Sequence, residues 1–542
     1  MSRLPKSVAL YLLAAFSIHA ADSPLVHSPA GTARGAIESG VRAFRGLPYA
    51  APPVGSMRWK PPAPAPVWTG VRDAAKFGAA CFQPKPRAGS IYADPPADMS
   101  EDCLFLNIWT PQGAKHVPVM VWIHGGSLTG GASSETMYDG AALAKRGIVV
   151  VSINYRLGAL GYLALPALSA ESPDHVSGNY GLLDQIEALR WVKRNIAAFG
   201  GDSNHVTVAG ESAGGLSVLY LLASPLARGL FHRAILESSY MISTAELREK
   251  RFGEEPAESS GAQLAARLKA RDLASLRAMD ADAITEQAPL TGYLPFGTID
   301  GHVLTRQLVE VFDRGEQAHV PVLVGFNSGE IRSLRFLAPP IPASEAAYTA
   351  AIRERYGPLA DAWLRLYPAS NLTESILAAP RDALYGWTAE RVATKQTAAG
   401  QSAFLYLFDH GFPAADAAGL HAFHASELPY IFGTADRTPH AWPKMEMTPA
   451  ENRFAAAIRD YWVSFVRTGA PSAQGEPPWQ PFGSSRAYMN LGDVPRPGAN
   501  PMPGMYELYE EVLCRRRAEG KTPWNWNIGI VSPPLPEAAG CR

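Results

Sequence analysis

Gly210-Glu211-Ser212-Ala213-Gly214 sets a serine between two glycines at the spacing of a very tight turn. After a strand and before a helix, such a turn lifts the hydroxyl to the sheet edge, near the positive end of the helix. Val206-Thr207-Val208-Ala209 reads as the strand and Gly215 to Leu222 as the helix, so Ser212 is the candidate nucleophile. The bland alternative is a strand-to-helix turn with an incidental serine. Attack on an ester carbonyl puts negative charge on its oxygen, which preorganised N–H donors must meet. The amide of Ala213, directly after the serine, is one donor. His124-Gly125-Gly126-Ser127 is a glycine-rich turn behind an earlier apolar run, and glycines let further amides approach a ligand closely.

A serine nucleophile needs a base, and the base needs an acid to orient it. Asp300, Asp313 and Glu330 all follow Ser212, and spacing alone does not choose among them. Glu330 lies just beyond the apolar run from Val320 to Phe326, where its carboxylate can reach the same edge. His421 and His424 compete as the base. Neither has an HExxH context and the chain has no CxxC, so no metal site is expected.

The elements that must hold these residues alternate in kind. Apolar runs punctuated by Gly and Asp interleave with helical patterns, as in a largely parallel, buried sheet. Val117 to Ile123 ends in the His124 turn, and Ile148 to Ile153 precedes Asn154-Tyr155-Arg156. An amphipathic helix is predicted from about Leu182 to Phe199, stopped by Gly200-Gly201. Ala234-Ile235-Leu236, Val320 to Phe326 and Ala403 to Phe408 repeat the strand pattern. The interleaving predicts an α/β fold, whose chemistry gathers at the carboxyl ends of strands. Residues 340–400, approximately, read as a mostly helical, cap-like insertion. A helix is predicted over Tyr506 to Glu511, with Arg515-Arg516-Arg517 as its solvated end and 515–542 as a C-terminal extension.

The 542 residues are 47% hydrophobic and 18% charged, a globular composition long enough to bury a large core. There is no Gly/Ser-rich linker and no internal repeat, so 21–542 is read as one domain. The net charge of -1 provides no global field for nucleic acid or an anionic membrane. Arg3 and Lys6, then an apolar stretch from Val8 to Ile18, then Ala20-Ala21 form the layout of a secretory signal peptide over 1–20. That stretch is too short for a membrane span, which takes about 20 apolar residues. An exported protein, periplasmic or extracellular, is therefore expected. Its four cysteines then point to disulfides. Cys81 and Cys103 enclose a Pro- and Gly-rich segment, as a stapled loop would. Cys514 and Cys541 are left to pair with each other, to pair between chains or to stay free.

Phe44-Arg45-Gly46-Leu47-Pro48-Tyr49-Ala50, Glu101-Asp102-Cys103-Leu104-Phe105-Leu106-Asn107, the His124 turn, Gly210 to Gly215 and Phe432-Gly433 carry a further message. Together, from about Val26 to Cys514, they make the chain resemble the type-B carboxylesterase family, which includes the cholinesterases. The resemblance implies an α/β-hydrolase fold: a large, mostly parallel central sheet flanked by helices, with the helical insertion over the active site. It implies hydrolysis of a small carboxylic ester with no metal or organic cofactor. The amides of Gly126, Ser127 and Ala213 would form the oxyanion hole. Ser127 departs from the family's common Gly or Ala, and Leu128 from its common aromatic.

The family's Gly-x-Asn-x-x-Glu pattern matches Gly325, Asn327 and Glu330, which makes Glu330 the acid and leaves Asp313 a solvated helix residue. His424, three residues before Glu427 and ahead of Phe432-Gly433, matches the base. Cys81–Cys103 matches the first disulfide, and Arg58 with Glu101 and Arg156 with Asp184 resemble its ion pairs. Ser238 resembles a hydroxyl bracing the Glu–His pair, and Glu211 the elbow carboxylate at the gorge floor. A choline ester would need an aromatic cage. The Cys81 to Cys103 loop offers Phe82 and Tyr92 but no tryptophan, so a general carboxylesterase is expected. The alternatives are a specialised esterase for aryl, polyester or natural-product esters, and a non-catalytic adhesion protein on the same fold.

Overall fold

A computed structural model describes residues 23–541, apart from 87, 88, 93, 97 and 525–527. The expected signal segment, 1–20, lies outside the described residues. The strands in chain order are β1 (Leu25–Ser28), β2 (Gly31–Arg34), β3 (Ala36–Glu38), β4 (Val41–Pro48), β5 (Val71–Asp73), β6 (Phe105–Pro111) and β7 (Val117–Ile123). They continue as β8 (Val149–Ile153), β9 (Gly201–Glu211), β10 (Arg233–Glu237), β11 (Val322–Asn327), β12 (Ala403–Phe408), β13 (Ala487–Leu491) and β14 (Pro495–Ala499). β1, β2 and β5 make a small separate sheet.

The other eleven strands form one sheet in the order β14-β13-β12-β11-β10-β9-β7-β8-β6-β4-β3. From β8 through β13 every neighbour is parallel, while β6, β4, β3 and β14 join antiparallel at the edges. β14 ends one side, with Met489 opposite Pro497 and Leu491 opposite Pro495.

Strand alternation explains why the sheet is covered on both faces. Val119, Val121 and Ile123 of β7 join one core with Leu182, Ile186 and Leu216. Met120 and Trp122 of the same strand join the opposite core with Phe432, Ile458 and Trp462. The Tyr180–Asn195 and Ala213–Ala223 helices supply the first face, and the Leu428–Phe432 and Pro449–Thr468 helices the second. Each such buried side chain contributes ~1.5–3 kcal/mol, against ~0–1 kcal/mol for an exposed ion pair. Burial therefore sets the positions of the strand ends. Among the described residues no helix is long and apolar enough to cross a membrane.

The predicted strands at Val117 and Ala403 match β7 and β12, but β9 extends far beyond the four residues expected. Its first half, Asp202 to His205, is polar and partly exposed and falls where the register with β7 shifts, between the Val117–Gly201 and Val119–Val206 pairs, so no apolar run marks it. The helix expected to reach Phe199 ends at Asn195, tightens into a 3₁₀ turn and stops at Gly200, where φ is 92°.

One reading of charge is corrected. Arg516 is not a solvated helix end: it is 1% exposed, and its guanidinium donates to Ser532 Oγ at 3.0 Å and to the carbonyls of Pro533 and Pro534. The tail returns along that helix, where Cys514 and Cys541 are bonded. Asp313 is exposed on its helix, as expected, and its carboxylate also pairs with Arg391, Lys395 and Arg517. Helical periodicity shows none of these partners, because all lie outside the helix that carries each residue.

Candidate active site

The turn after β9 holds Ser212 at φ 56° and ψ -118°. A non-glycine residue there costs on the order of 1–3 kcal/mol, so the surroundings must fix it. The Ser212 amide donates to the Glu237 carbonyl at 2.9 Å, and its carbonyl accepts from the Leu216 amide at 2.9 Å. Close packing dictates the neighbours: a Cβ on Gly214 would lie 2.1 Å from the Ile123 carbonyl oxygen. The helix that begins at Ala213 points its N-terminus at the serine.

The His124 turn closes on the same point. A Cβ on Gly125 would meet a Glu211 carboxyl oxygen at 2.8 Å and Ser212 Cβ at 3.2 Å. Beneath it His124 stacks on Tyr155 with ring centroids 4.5 Å apart, and its own carbonyl accepts from the Tyr155 hydroxyl at 2.8 Å. Burial lowers the His124 pKa to about 4, so this imidazole is neutral and structural. Among the described residues, the amides of Gly126, Ser127 and Ala213 donate no hydrogen bond to the protein. Donors left free at a strand edge are what an incoming oxyanion requires.

Glu330 opens a one-turn helix after β11 and is fully buried. One of its carboxyl oxygens accepts from Ser238 Oγ at 2.6 Å and from the Asn327 amide at 2.9 Å. The other is hydrogen-bonded to His424 Nδ1. Across the ring, His424 Nε2 lies 3.0 Å from Glu211 Oε1, without the alignment of a hydrogen bond. Ser212 makes no hydrogen bond to His424 in this arrangement; the imidazole faces the elbow carboxyl instead. The rival His421 is half-exposed and bridges Asp409 and Asp416, at 3.2 and 2.8 Å.

Burial opposes charge on His424, but Glu211, Glu330 and Glu427 outweigh it and raise its pKa to about 9. Burial likewise raises Glu211, against the pull of the His424 charge. Burial raises Glu427 too, helped by Glu211 and Glu330, and Asn327 Nδ2 donates to it. Glu237, on β10 opposite Glu211, is held high by burial and by Glu427, while Trp462 Nε1 donates to it at 2.7 Å.

The expected ion pairs Arg58–Glu101 and Arg156–Asp184 are present, the second fully buried at 2.7 Å. Cys81 is bonded to Cys103. Sequence reasoning missed the aromatic contacts of His424: Tyr385 lies 5.5 Å from the imidazole centroid to centroid, and Tyr92 lies 6.3 Å away. Tyr92 stood out in its loop only for what it is not, a choline-site tryptophan. No local pattern marks either residue. Among the described residues there is no cluster of His, Cys, Asp and Glu that could hold a metal ion.

A model of the Carboxylesterase family matches residues 22–503. The chain belongs to the carboxylesterase family, a family of carboxylic ester hydrolases. Among its relatives, the fumonisin B1 esterase of Sphingopyxis macrogoltabida is 38% identical over 484 residues, covering 86% of each chain. The para-nitrobenzyl esterase of Bacillus subtilis is 36% identical, covering 83% of this chain and 91% of that one. A solved PNB esterase structure matches with a TM-score of 0.76 at 32% identity, over 90% of this chain and 99% of that one. A carboxylesterase from Geobacillus stearothermophilus follows at 0.75 and 32%, over 89% and 99%. The carboxylesterase sheet described above is thus an α/β-hydrolase fold.

Proposed function

We propose that this carboxylesterase cleaves small carboxylic esters through an acyl-enzyme, with Ser212 as nucleophile, His424 as base and Glu330 as acid. The observation that carries the reading is the imidazole held by buried Glu330 on one nitrogen, with its other nitrogen beside the Ser212 elbow. As substrate enters, the Ser212 hydroxyl turns onto Nε2, a contact that is often loose in a free enzyme. His424 takes the hydroxyl proton while Oγ bonds to the carbonyl carbon. The amides of Gly126, Ser127 and Ala213 receive the oxyanion, and Glu330 stabilises the imidazolium. The imidazolium then gives its proton to the departing alcohol. Water, deprotonated by the same histidine, releases the acid and restores Ser212. Neither step calls for a metal or an organic cofactor.

The names of the relatives, a fumonisin B1 esterase and a para-nitrobenzyl esterase, suggest substrates beyond simple alkyl esters. A panel varying acyl and alcohol size separately would read out which side of the site is selective. The two disulfides support export, because such bonds persist in oxidising compartments. Ser212→Ala is expected to lower p-nitrophenyl ester turnover by on the order of 10⁵-fold with an unchanged circular dichroism spectrum. A variant that kept most of its activity would refute the assignment. Covalent labelling of Ser212 by an organophosphate separates the enzyme from a non-catalytic adhesion protein.

A further inference from the structure

The stretch that carries His424 is under strain on both sides. His421 has φ 51° and Ala425 φ 67°, left-handed values that non-glycine residues hold only when something outside the segment fixes them. No helix or strand contains this stretch, which lies between β12 and the Leu428–Phe432 helix. One outside contact comes from the loop closed by Cys81–Cys103. The Tyr92 hydroxyl of that loop donates to the His424 carbonyl at 2.7 Å and is paired with Ser333 Oγ at 2.8 Å. Ser333 ends the turn of helix that Glu330 begins. The Tyr92 ring stands edge-on to the imidazole, at 80°, and edge-on to Trp442, with centroids 6.0 Å apart at 85°. One side chain therefore touches both the segment bearing the base and the segment bearing the acid.

We infer that Tyr92 is a positioning residue for turnover, and that the first disulfide loop acts through it to hold His424 and Glu330 in register. The inference rests on the reading of His424 as the base. A carbonyl held by Tyr92 fixes the peptide plane between His424 and Ala425, and with it the direction in which the imidazole leaves the backbone. Loss of the hydroxyl frees that plane while leaving the ring packed. Misplacement of a catalytic group by about 1 Å can cost on the order of 10²-fold in rate, so a partial release should cost less.

The test is Tyr92→Phe, with rates normalised to active sites titrated by an organophosphate. The expected result is a fall in kcat of about tenfold with KM within about twofold, and an equal fall in the rate of Ser212 labelling. A Cys81→Ser/Cys103→Ser variant should lose kcat similarly, and adding Tyr92→Phe to it should cost little more. An unchanged kcat in Tyr92→Phe would overturn the proposal, as would losses that multiply in the combined variant. If the cysteine variant does not fold, Tyr92→Phe decides alone. His424→Gln, measured alongside, separates the two levels. Retained turnover there removes the base assignment, whereas an inactive His424→Gln with a silent Tyr92→Phe removes only the positioning role.

Discussion

Glu211 and His424 face each other as a carboxyl and an imidazole whose titrations are coupled. The 3.0 Å approach raises the imidazole, whose pKa is about 9, and burial raises the carboxyl. They titrate as a pair, and the form able to accept the Ser212 proton is the one with Nε2 unprotonated. Because the His424 pKa lies above its usual value, that form fills as pH rises. Hydrolysis should accordingly increase from pH 6 to 9. Glu211→Gln removes the carboxylate that acts most strongly on the imidazole. The rising limb of kcat/KM should then move to lower pH, by roughly one unit. Initial rates across pH 5 to 9 decide the matter, and a limb that stays put or moves upward defeats this account. At this scale the sequence revealed which residues meet but not how: the family pattern singled out Glu330 and His424, while the turn of Nε2 toward Glu211 depends on side-chain geometry that no spacing encodes.

The His124 turn is the element whose shape matters most for the developing negative charge. Its backbone passes so close to Glu211 and Ser212 that a single methyl group at residue 125 has no room. Gly125→Ala should push the Gly126 and Ser127 amides away from the serine. The expected loss in kcat is about 10²–10³-fold, the cost of a displaced oxyanion donor, and the overpacked turn should also lower the melting temperature. A variant with normal kcat would show that this turn does not hold the oxyanion. Elements of this kind were largely legible beforehand. β7, β11 and β12 are buried on both faces and so read as continuous apolar runs, and the glycines mark the turns that follow. What escaped had polar sequence and distant partners. The first half of β9 is a polar stretch at a register shift, and buried Arg516 is held by hydrogen bonds to residues that no periodicity brings together.

Over the whole molecule, the family match stops at residue 503, yet the chain beyond it is well anchored. Trp524 packs edge-on against Phe252, the Gly529 amide donates to the Tyr356 hydroxyl, and Cys541 returns to Cys514. A bridge spanning 27 residues constrains the unfolded chain by about 3 kcal/mol. Cys541→Ser should therefore lower the urea midpoint for unfolding while leaving turnover per folded molecule intact. An unmoved midpoint would mean that the packing of the tail, and not its bond, does the anchoring. The β14 edge of the sheet carries a different kind of protection. In the β13–β14 ladder the amides of Arg496 and Gly498 face inward to Asn490 and Tyr488, which leaves Pro495 and Pro497 facing outward. Proline has no N–H, so a strand arriving from another molecule would find almost no donors along that edge. Even at high protein concentration, two such sheets would find little there with which to zip together into a growing fibril.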